Sequence, residues 1–483
     1  MHTQIKMLSH ENLKRIHERS LHLLSRTGVR VDSAKGRALL EQAGAVSQKG
    51  SNVIRFPEDL VENAIQSAPK AFTLGGRREG WSFDVNRGDN TLCLNGEGTL
   101  AIDRETAELR PATRKDWLAV TRMADYTDEV GVYWRSVTPH DQGDSMADFV
   151  EGMGDVFKNF SKHVMDPFMA PEQASWLLEM LQAVFGNREA IQKAHPYSTL
   201  LCPQSPLIIT EDYTDAYLEL KGWNIPVAVM PMALMGATAP ASMLATLIQV
   251  NCEVLATLCL VQANEPGTPF LYAPALTLMD PKTGRYFSGG AENAIMNSAA
   301  VELARFYGFP IMASGFGTDT FRPSRQAGYE RALNTVMPLL EWPDILVGPG
   351  LFGGDMMLSF DQLLVDLEIY RMIKQIRKGI DCRKDKWLDS IIEKVGPGGN
   401  YLMEDSTLKA VRSDEWYIPQ LGVHDSYENW LENGQPTLAQ EARETVDHIL
   451  SSHRPEALDA DVERELQRIH AAAQKIQGRY PLV

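Results

Sequence analysis

The 483-residue sequence predicts an α/β fold, a parallel TIM-type (β/α)8 barrel with a helical cap before it and a helical extension after it. Two observations carry that expectation. Residues 225–262 change their hydrophobic period midway. A short apolar run ends at Leu234, and Gly236, Thr238 and Pro240 break the pattern. Met243, Leu244, Leu247, Val254, Leu255, Leu258 and Val261 then recur at spacings of three and four. The same unit of buried strand, loop and covering helix recurs at least six times, with no low-complexity tract to divide the chain.

Taken in order, residues 8–27, 33–42 and 57–68 read as the helices of an amino-terminal cap, residues 1–70. Residues 72–85 and 91–102 alternate like strands, with turns at Gly75, Gly76, Asn95, Gly96 and Gly98. Helix 115–126 leads to strand 130–137, and helices 145–160 and 171–185 to strand 197–202. Helix 212–221 precedes the 225–262 unit, and three further strands follow, 268–276, 311–314 and 345–347, with helices 291–307, 325–340 and 359–379. The barrel is thus expected over 71–380 and a helical extension packed on it over 381–483.

Composition narrows the function. A net charge of −16 and no basic stripe argue against a nucleic-acid partner. The amino terminus is polar and amphipathic, without the apolar core of a signal peptide, which points to the cytoplasm. Residues 242–262 are apolar enough to suggest a membrane span, but Gln249, Asn251 and Glu253 lie in their middle, so a buried barrel helix is expected. Five scattered cysteines with no CxxC pair suit reduced thiols, and Cys202, with no histidine partner in sequence, reads as a small buried hydrophobe. There is no HExxH, no GxSxG elbow and no Walker loop; the glycines of VGPGLFGGD lack the Lys-Ser/Thr a Walker loop needs.

In such a barrel the chemistry sits at the carboxyl ends of the strands. Those ends offer Tyr133, Trp134 and His140; Cys202, Gln204 and Ser205; Met232, Met235 and Thr238; Tyr272; Phe316, Thr318 and Asp319; and Phe352 among glycines. The set is aromatic and sulfur-rich with few charges, which suits a quaternary ammonium held by cation–π contact. The plainer reading is barrel filling. His140 suits a ligand carboxylate or a structural hydrogen bond, and Asp319 and Glu97 a polar ligand group, a loop cap or a rim ion pair. Asp366 and Glu368 read as a solvated or packing helix face.

Longer strings carry a resemblance. HERSLHLLSRTGVRV, FTLGGR, DRETAELRPAT, CPQSPL, MGATAPASMLATLIQVNCEVLATLCLVQ, SGGAENAIMNSAAVELARFYGFP, TDTFRPSRQAGYERA and SYENW extend in order over nearly the whole chain. They resemble the trimethylamine methyltransferase superfamily. The resemblance implies a TIM-type barrel that moves a methyl group from a methylated amine to cob(I)alamin carried by a separate corrinoid protein, with no cofactor bound tightly by this chain and no metal. The founding members contain pyrrolysine; this chain resembles the branch without it, which acts on quaternary amines. Glycine betaine leads by frequency, with proline betaine, carnitine or γ-butyrobetaine as alternatives. A non-catalytic betaine-binding protein is the reading from another class.

On this reading Tyr133, Trp134, Tyr272, Phe316 and Phe352 form the cage, and backbone N–H groups from Gly348 through Gly350 to Gly354, helped by His140 or Gln204, hold a substrate carboxylate. Thr318, Asp319 and Gly348 are expected to face the corrinoid, and a homo-oligomer is expected. Where many members have an HDxGY-like string after the last strand, this sequence reads VGPGL, and His424 stands in HDSYENW where relatives often have an Arg or another polar residue, so substrate identity does not carry over.

Overall fold

The computed structural model describes residues 5–96 and 98–480; Glu97 lies outside the described residues. Eight parallel strands form the centre: β1 (Thr91–Leu94), β2 (Val130–Tyr133), β3 (His163–Met165), β4 (Tyr197–Leu201), β5 (Val227–Val229), β6 (Phe270–Tyr272), β7 (Met312–Ser314) and β8 (Ile345–Val347). β8 returns to β1 with Val347 opposite Cys93. The last gap, between β6 and β7, is closed by one bridge, in which the Tyr272 N–H donates to the Pro310 carbonyl at 3.0 Å. Two strands escaped the sequence reading as barrel strands. β1 lay inside the longer alternating run 91–102, and β3, three residues beside Lys162 and Asp166, is too short to show a period.

Strand alternation sorts the side chains. Cys93, Val132, Met165, Leu200, Ala228, Leu271, Met312 and Ile345 fill the barrel interior. Their neighbours Leu92, Tyr133, Val164, Val227, Phe270, Tyr272 and Leu346 belong to the outer core shared with the helices. At the base, the hairpin Thr73–Gly75 and Ser82–Asp84 turns Leu74 and the adjacent Val85 into the interior cluster. The interior is therefore packed rather than hollow below its mouth.

The helix Met243–Asn264 is the one among the described residues long and apolar enough to cross a membrane, and most of it is buried in the protein. Three amino-terminal helices, His10–Arg26, Ala34–Gln42 and Glu58–Ser67, pack against it. Its polar residues all have partners. Asn251 Nδ2 donates to Ser20 Oγ and Tyr307 Oη, both at 2.9 Å, and the Glu253 carboxylate accepts from Ser205 Oγ at 2.8 Å and the Leu207 N–H at 2.9 Å. Burial pushes the Glu253 carboxyl up from its ordinary value.

The carboxy-terminal part is uneven. Leu438–Ser452 packs against Phe360–Lys378 and Arg114–Tyr126, and Ala460–Ala473 against Met146–Asn159 and Pro171–Phe185. The segment before them, with helices Asp389–Val395, Asp405–Val411 and Tyr427–Glu432, buries no residue.

Candidate active site at the mouth of the barrel

Above the carboxyl ends of the strands lies a cavity of about 370 Å3. Asn95 and Gly96 follow β1 into its wall, Trp134 follows β2, Met230 and Met232 follow β5, and Ala275 and Leu276 follow β6. Gly315 and Gly317 follow β7, and Val347 and Gly348 come from the end of β8. The rim is built by two small sheets. One joins Leu234–Met235, Thr277–Met279 and Tyr286–Phe287; the other joins Leu100–Ile102, Leu109–Pro111, Leu351–Phe352 and Met357–Leu358. They bring Tyr286, Asp355 and Met356 to the cavity.

Close backbone approach explains two of the glycines. Gly348 has φ +111°, and a Cβ there would sit 2.4 Å from the Gly315 carbonyl oxygen; one at Gly317 would sit 2.4 Å from that of Ser288. The Gly348 N–H is fixed by Asn95 Oδ1 at 2.7 Å, which ties the loop after β8 to the loop after β1. Beneath the loops after β7 and β8 lies a fully buried ion pair, Arg331 Nη1 to Asp366 Oδ2 at 3.1 Å. Arg331 Nη1 donates to the Phe316 carbonyl at 2.7 Å, and Asp366 accepts from the Gly350 N–H at 2.7 Å and from Gln362 Nε2 at 2.9 Å. Burial pushes the Asp366 carboxyl up, and Arg331 and the Gly350 N–H oppose that push.

Two lining groups stand out electrically. Trp134 is almost fully enclosed, and its indole N–H has no hydrogen-bond partner among the described residues. A buried donor left without an acceptor costs about 1–3 kcal/mol. Asp355 brings a carboxylate whose pKa burial pushes up to about 6; Arg331 pulls it down and Asp319 raises it further. No Lys, Arg or His is among the described lining residues.

Of the residues expected from sequence, Trp134, Met232, Gly348 and Gly354 line this cavity. The five-membered cage does not assemble. Tyr133 lies on the opposite face of β2 from Trp134, and its hydroxyl meets Trp117 Nε1 at 2.5 Å and Thr121 Oγ1 at 2.7 Å in the helix layer. Tyr272 likewise points outward, donating to Asn251 Oδ1 at 3.2 Å. Phe316, at φ +56°, belongs to the outer core, and Phe352 packs with Ile102, Ala327 and Met357 under the Arg331 guanidinium, 5.0 Å away. The expected carboxylate cradle is also absent, because its N–H groups are already bonded: Gly348 to Asn95, Gly350 to Asp366, Gly353 to the Thr320 carbonyl and Gly354 to that of Thr318.

The polar candidates take structural positions. His140 is exposed, with Nδ1 2.7 Å from the Ala112 carbonyl, and Gln204 is exposed with its N–H on the Ile208 carbonyl. Thr318 Oγ1 donates to Glu330 at 2.6 Å, and Asp319 accepts the N–H groups of Ser288 and Gly289 at 2.9 and 2.7 Å. Asp366 is not on a solvated face, and Glu368, buried as well, accepts the Gln420 N–H at 3.2 Å. His424 is exposed, far along the chain from the mouth. Asp355 and Tyr286 were missed because both sit on rim segments rather than directly after a strand. The only signal for Asp355 was an acidic residue closing the GGD string.

A closed barrel with its cavity at the carboxyl ends of the strands has the architecture of a (β/α)8-barrel enzyme. Residues 1–477 match the family described as trimethylamine methyltransferase (MTTB), and the chain belongs to that family of methyltransferases. It is 32% identical over 463 residues to the trimethylamine methyltransferase MttB of Desulfitobacterium hafniense, covering 95% of this chain and 92% of the relative. It is 28% identical over 477 residues to MttB of Methanosarcina barkeri, with 98% and 96% covered. Identity is 29% over 482 residues to the glycine betaine methyltransferase of D. hafniense, with 98% of each covered. The crystal structure of the M. barkeri monomethylamine methyltransferase (MtmB) superposes with a TM-score of 0.50 at 12% identity over 96% of this chain and 93% of that one, a likeness of fold.

Proposed function

We propose that this methyltransferase takes a methyl group from a quaternary amine, with glycine betaine the first candidate, and passes it to a corrinoid carried by a separate protein. The observation that carries the reading is the pairing at one small cavity of Trp134, whose buried indole N–H has no partner among the described residues, with a carboxylate, Asp355. A betaine has a carboxylate for the first and a permanent cation for the second. The Trp134 ring and the sulfurs of Met230 and Met232 add a polarizable apolar wall that suits N-methyl groups, which have no N–H to donate. Glycine betaine methyltransferase stands among the full-length relatives, which supports the choice of first candidate.

The cavity's size fits a small amine and not a corrin ring, so the open rim, where Met232 and Met356 are about half exposed, is the face that would receive the corrinoid. Cob(I)alamin supplies the nucleophile that accepts the methyl group. The chain itself orients one N-methyl carbon toward the mouth and keeps water from the reacting face. A quaternary nitrogen leaves as a neutral amine, so no general acid is required, in keeping with a lining whose only ionisable carboxyl is Asp355 among the described residues.

The test is the visible spectrum of a cognate corrinoid protein reduced to Co(I) and mixed with this enzyme and each of several quaternary amines. Loss of the Co(I) band with glycine betaine, and not without the enzyme, is the expected result. Tight binding of a betaine without any spectral change would reject methyl transfer and favour a betaine-binding protein.

A further inference from the structure

Three large side chains that line the cavity are also about half exposed and so stand in its opening: Met232 at 50%, Met356 at 49% and Tyr286 at 42%. Two of them can yield. A methionine is unbranched, turns about three bonds and reshapes itself around what it meets. Tyr286 has a rigid ring, and the structure pins the backbone that carries it.

That backbone is a hairpin in which Tyr286 lies opposite Met279 and Phe287 opposite Leu278. Asp280 closes its turn: the Asp280 N–H donates to the Arg285 carbonyl at 2.8 Å, and its carboxylate accepts from the Lys282 N–H at 3.0 Å and Thr283 Oγ1 at 2.7 Å. Just beyond Tyr286, Thr277 Oγ1 donates to the Phe287 carbonyl at 2.8 Å, and Asp319 holds the N–H groups of Ser288 and Gly289. The ring rests on the backbone of Gly354, where a Cβ would fall 2.8 Å from Tyr286 Cδ1 and 3.2 Å from Cε1. Gly354 is at φ +65°, which glycine adopts without strain, and its N–H is bonded to the Thr318 carbonyl at 3.1 Å. The ring and the surface beneath it are therefore both fixed, and a larger residue at 354 would leave the ring no place there.

We propose that Tyr286 is a specificity-determining residue that limits the bulk carried on the substrate nitrogen. The enzyme then takes acyclic trimethylammonium compounds and turns away quaternary amines whose nitrogen lies in a ring. This rests on the function and the orientation proposed above. With the substrate carboxylate at the Trp134 N–H, which is almost fully enclosed, the nitrogen and its methyl groups lie toward the opening. Extra carbon on the nitrogen meets the one large side chain of the opening that does not move aside. A fixed apolar wall discriminates by about 10- to 200-fold for each methylene that it must accommodate.

The experiment is isothermal titration calorimetry of the full chain with glycine betaine and with proline betaine, for the wild type, Tyr286→Ala, Tyr286→Phe and Tyr286→Trp. Both ligands have a carboxylate and a quaternary nitrogen; in proline betaine the nitrogen belongs to a five-membered ring. The wild type should bind glycine betaine about 10-fold or more tightly than proline betaine. Alanine should bring the two within about threefold, phenylalanine, which loses only the hydroxyl, should keep the wild-type ratio, and tryptophan should raise it about threefold or more by the same reasoning. The tryptophan variant reads the limit in the opposite direction, so a hairpin loosened by alanine cannot imitate the pattern. A wild type that binds both betaines alike would overturn the size limit. So would a ratio unmoved by alanine and tryptophan, or a phenylalanine variant that loses it as alanine does. Each of these leaves methyl transfer from a quaternary amine in place. A wild type that binds neither betaine and takes no methyl group from either would instead remove the proposed function, and the limit with it.

Discussion

Trp134 and Tyr133 are neighbours in sequence and opposites in space: one residue along a strand turns a side chain from the outer core into the cavity. Composition could mark both as aromatic residues at a strand end, but only the register of β2 decides which one meets a ligand. That is why a single member of the expected cage reaches the site. Its indole N–H makes a sharp test. Trp134→Phe keeps a ring and removes the donor, so kcat/KM for glycine betaine should fall about 10- to 100-fold, as for a lost hydrogen bond to a charged group. With tetramethylammonium, which has no carboxylate, the same variant should stay within about twofold by the same reasoning. Equal losses on the two substrates in steady-state assays would show that the N–H does not hold a carboxylate.

Asp355 supplies a pH dependence of the opposite end of the substrate. Its carboxyl, pushed up to about 6, is neutral below that pH and charged above it. A cation beside it is therefore held at neutral pH and released as pH falls through about 6. KM for the quaternary amine should rise as the pH is lowered from about 7 to about 5, the range that brackets this pKa. Asp355→Asn should raise KM about tenfold at neutral pH and abolish that limb, by loss of a partly buried charge contact. A wild-type KM that stays flat across the same range would exclude the carboxylate from cation binding.

At the scale of elements, the buried Arg331–Asp366 pair shows how a helix face and two loops become one object. The sequence places Asp366 on a regular helix, where a charge usually faces water; nothing local announces that Arg331, on the neighbouring helix Arg325–Leu340, lies opposite it. The pair binds the carbonyl of Phe316 and the N–H of Gly350, and so holds the loops after β7 and β8 that form part of the cavity wall. Asp366→Asn leaves a guanidinium buried without its counter-charge, and we expect thermal or denaturant unfolding to report a loss of about 3–5 kcal/mol. The double replacement Arg331→Met with Asp366→Leu should recover most of it. A single variant as stable as the wild type would mean that water reaches the pair. The helices were legible because their apolar spacing and caps are local, as with Ser145 and Thr113, each of which caps a helix found within a residue of its expected start. β3 was not, because three residues fixed by their neighbours carry no period of their own.

At the scale of the whole molecule, cap and barrel meet on a helix apolar enough to cross a membrane. Met243–Asn264 is apolar nearly all round because it is covered on both sides, by the barrel strands within and by the three amino-terminal helices without. The contacts across the outer side are specific: Ser20 takes Asn251, and Ser67 Oγ donates to Gln262 Oε1 at 2.9 Å. Cap and barrel thus share a buried, hydrogen-bonded interface across the division expected near residue 70, and we expect them to unfold together. Removing residues 1–68 should strip that outer cover and give a chain that aggregates or lacks a cooperative melt. Asn251→Ala in the full chain should lower the stability of cap and barrel together, by about 1–3 kcal/mol for the buried groups it leaves unpaired, in a single transition. Calorimetry of both variants decides the matter. A soluble truncated barrel that melts cooperatively within a few degrees of the full chain would show instead that the cap is an independent module and that the barrel can cover this helix by itself.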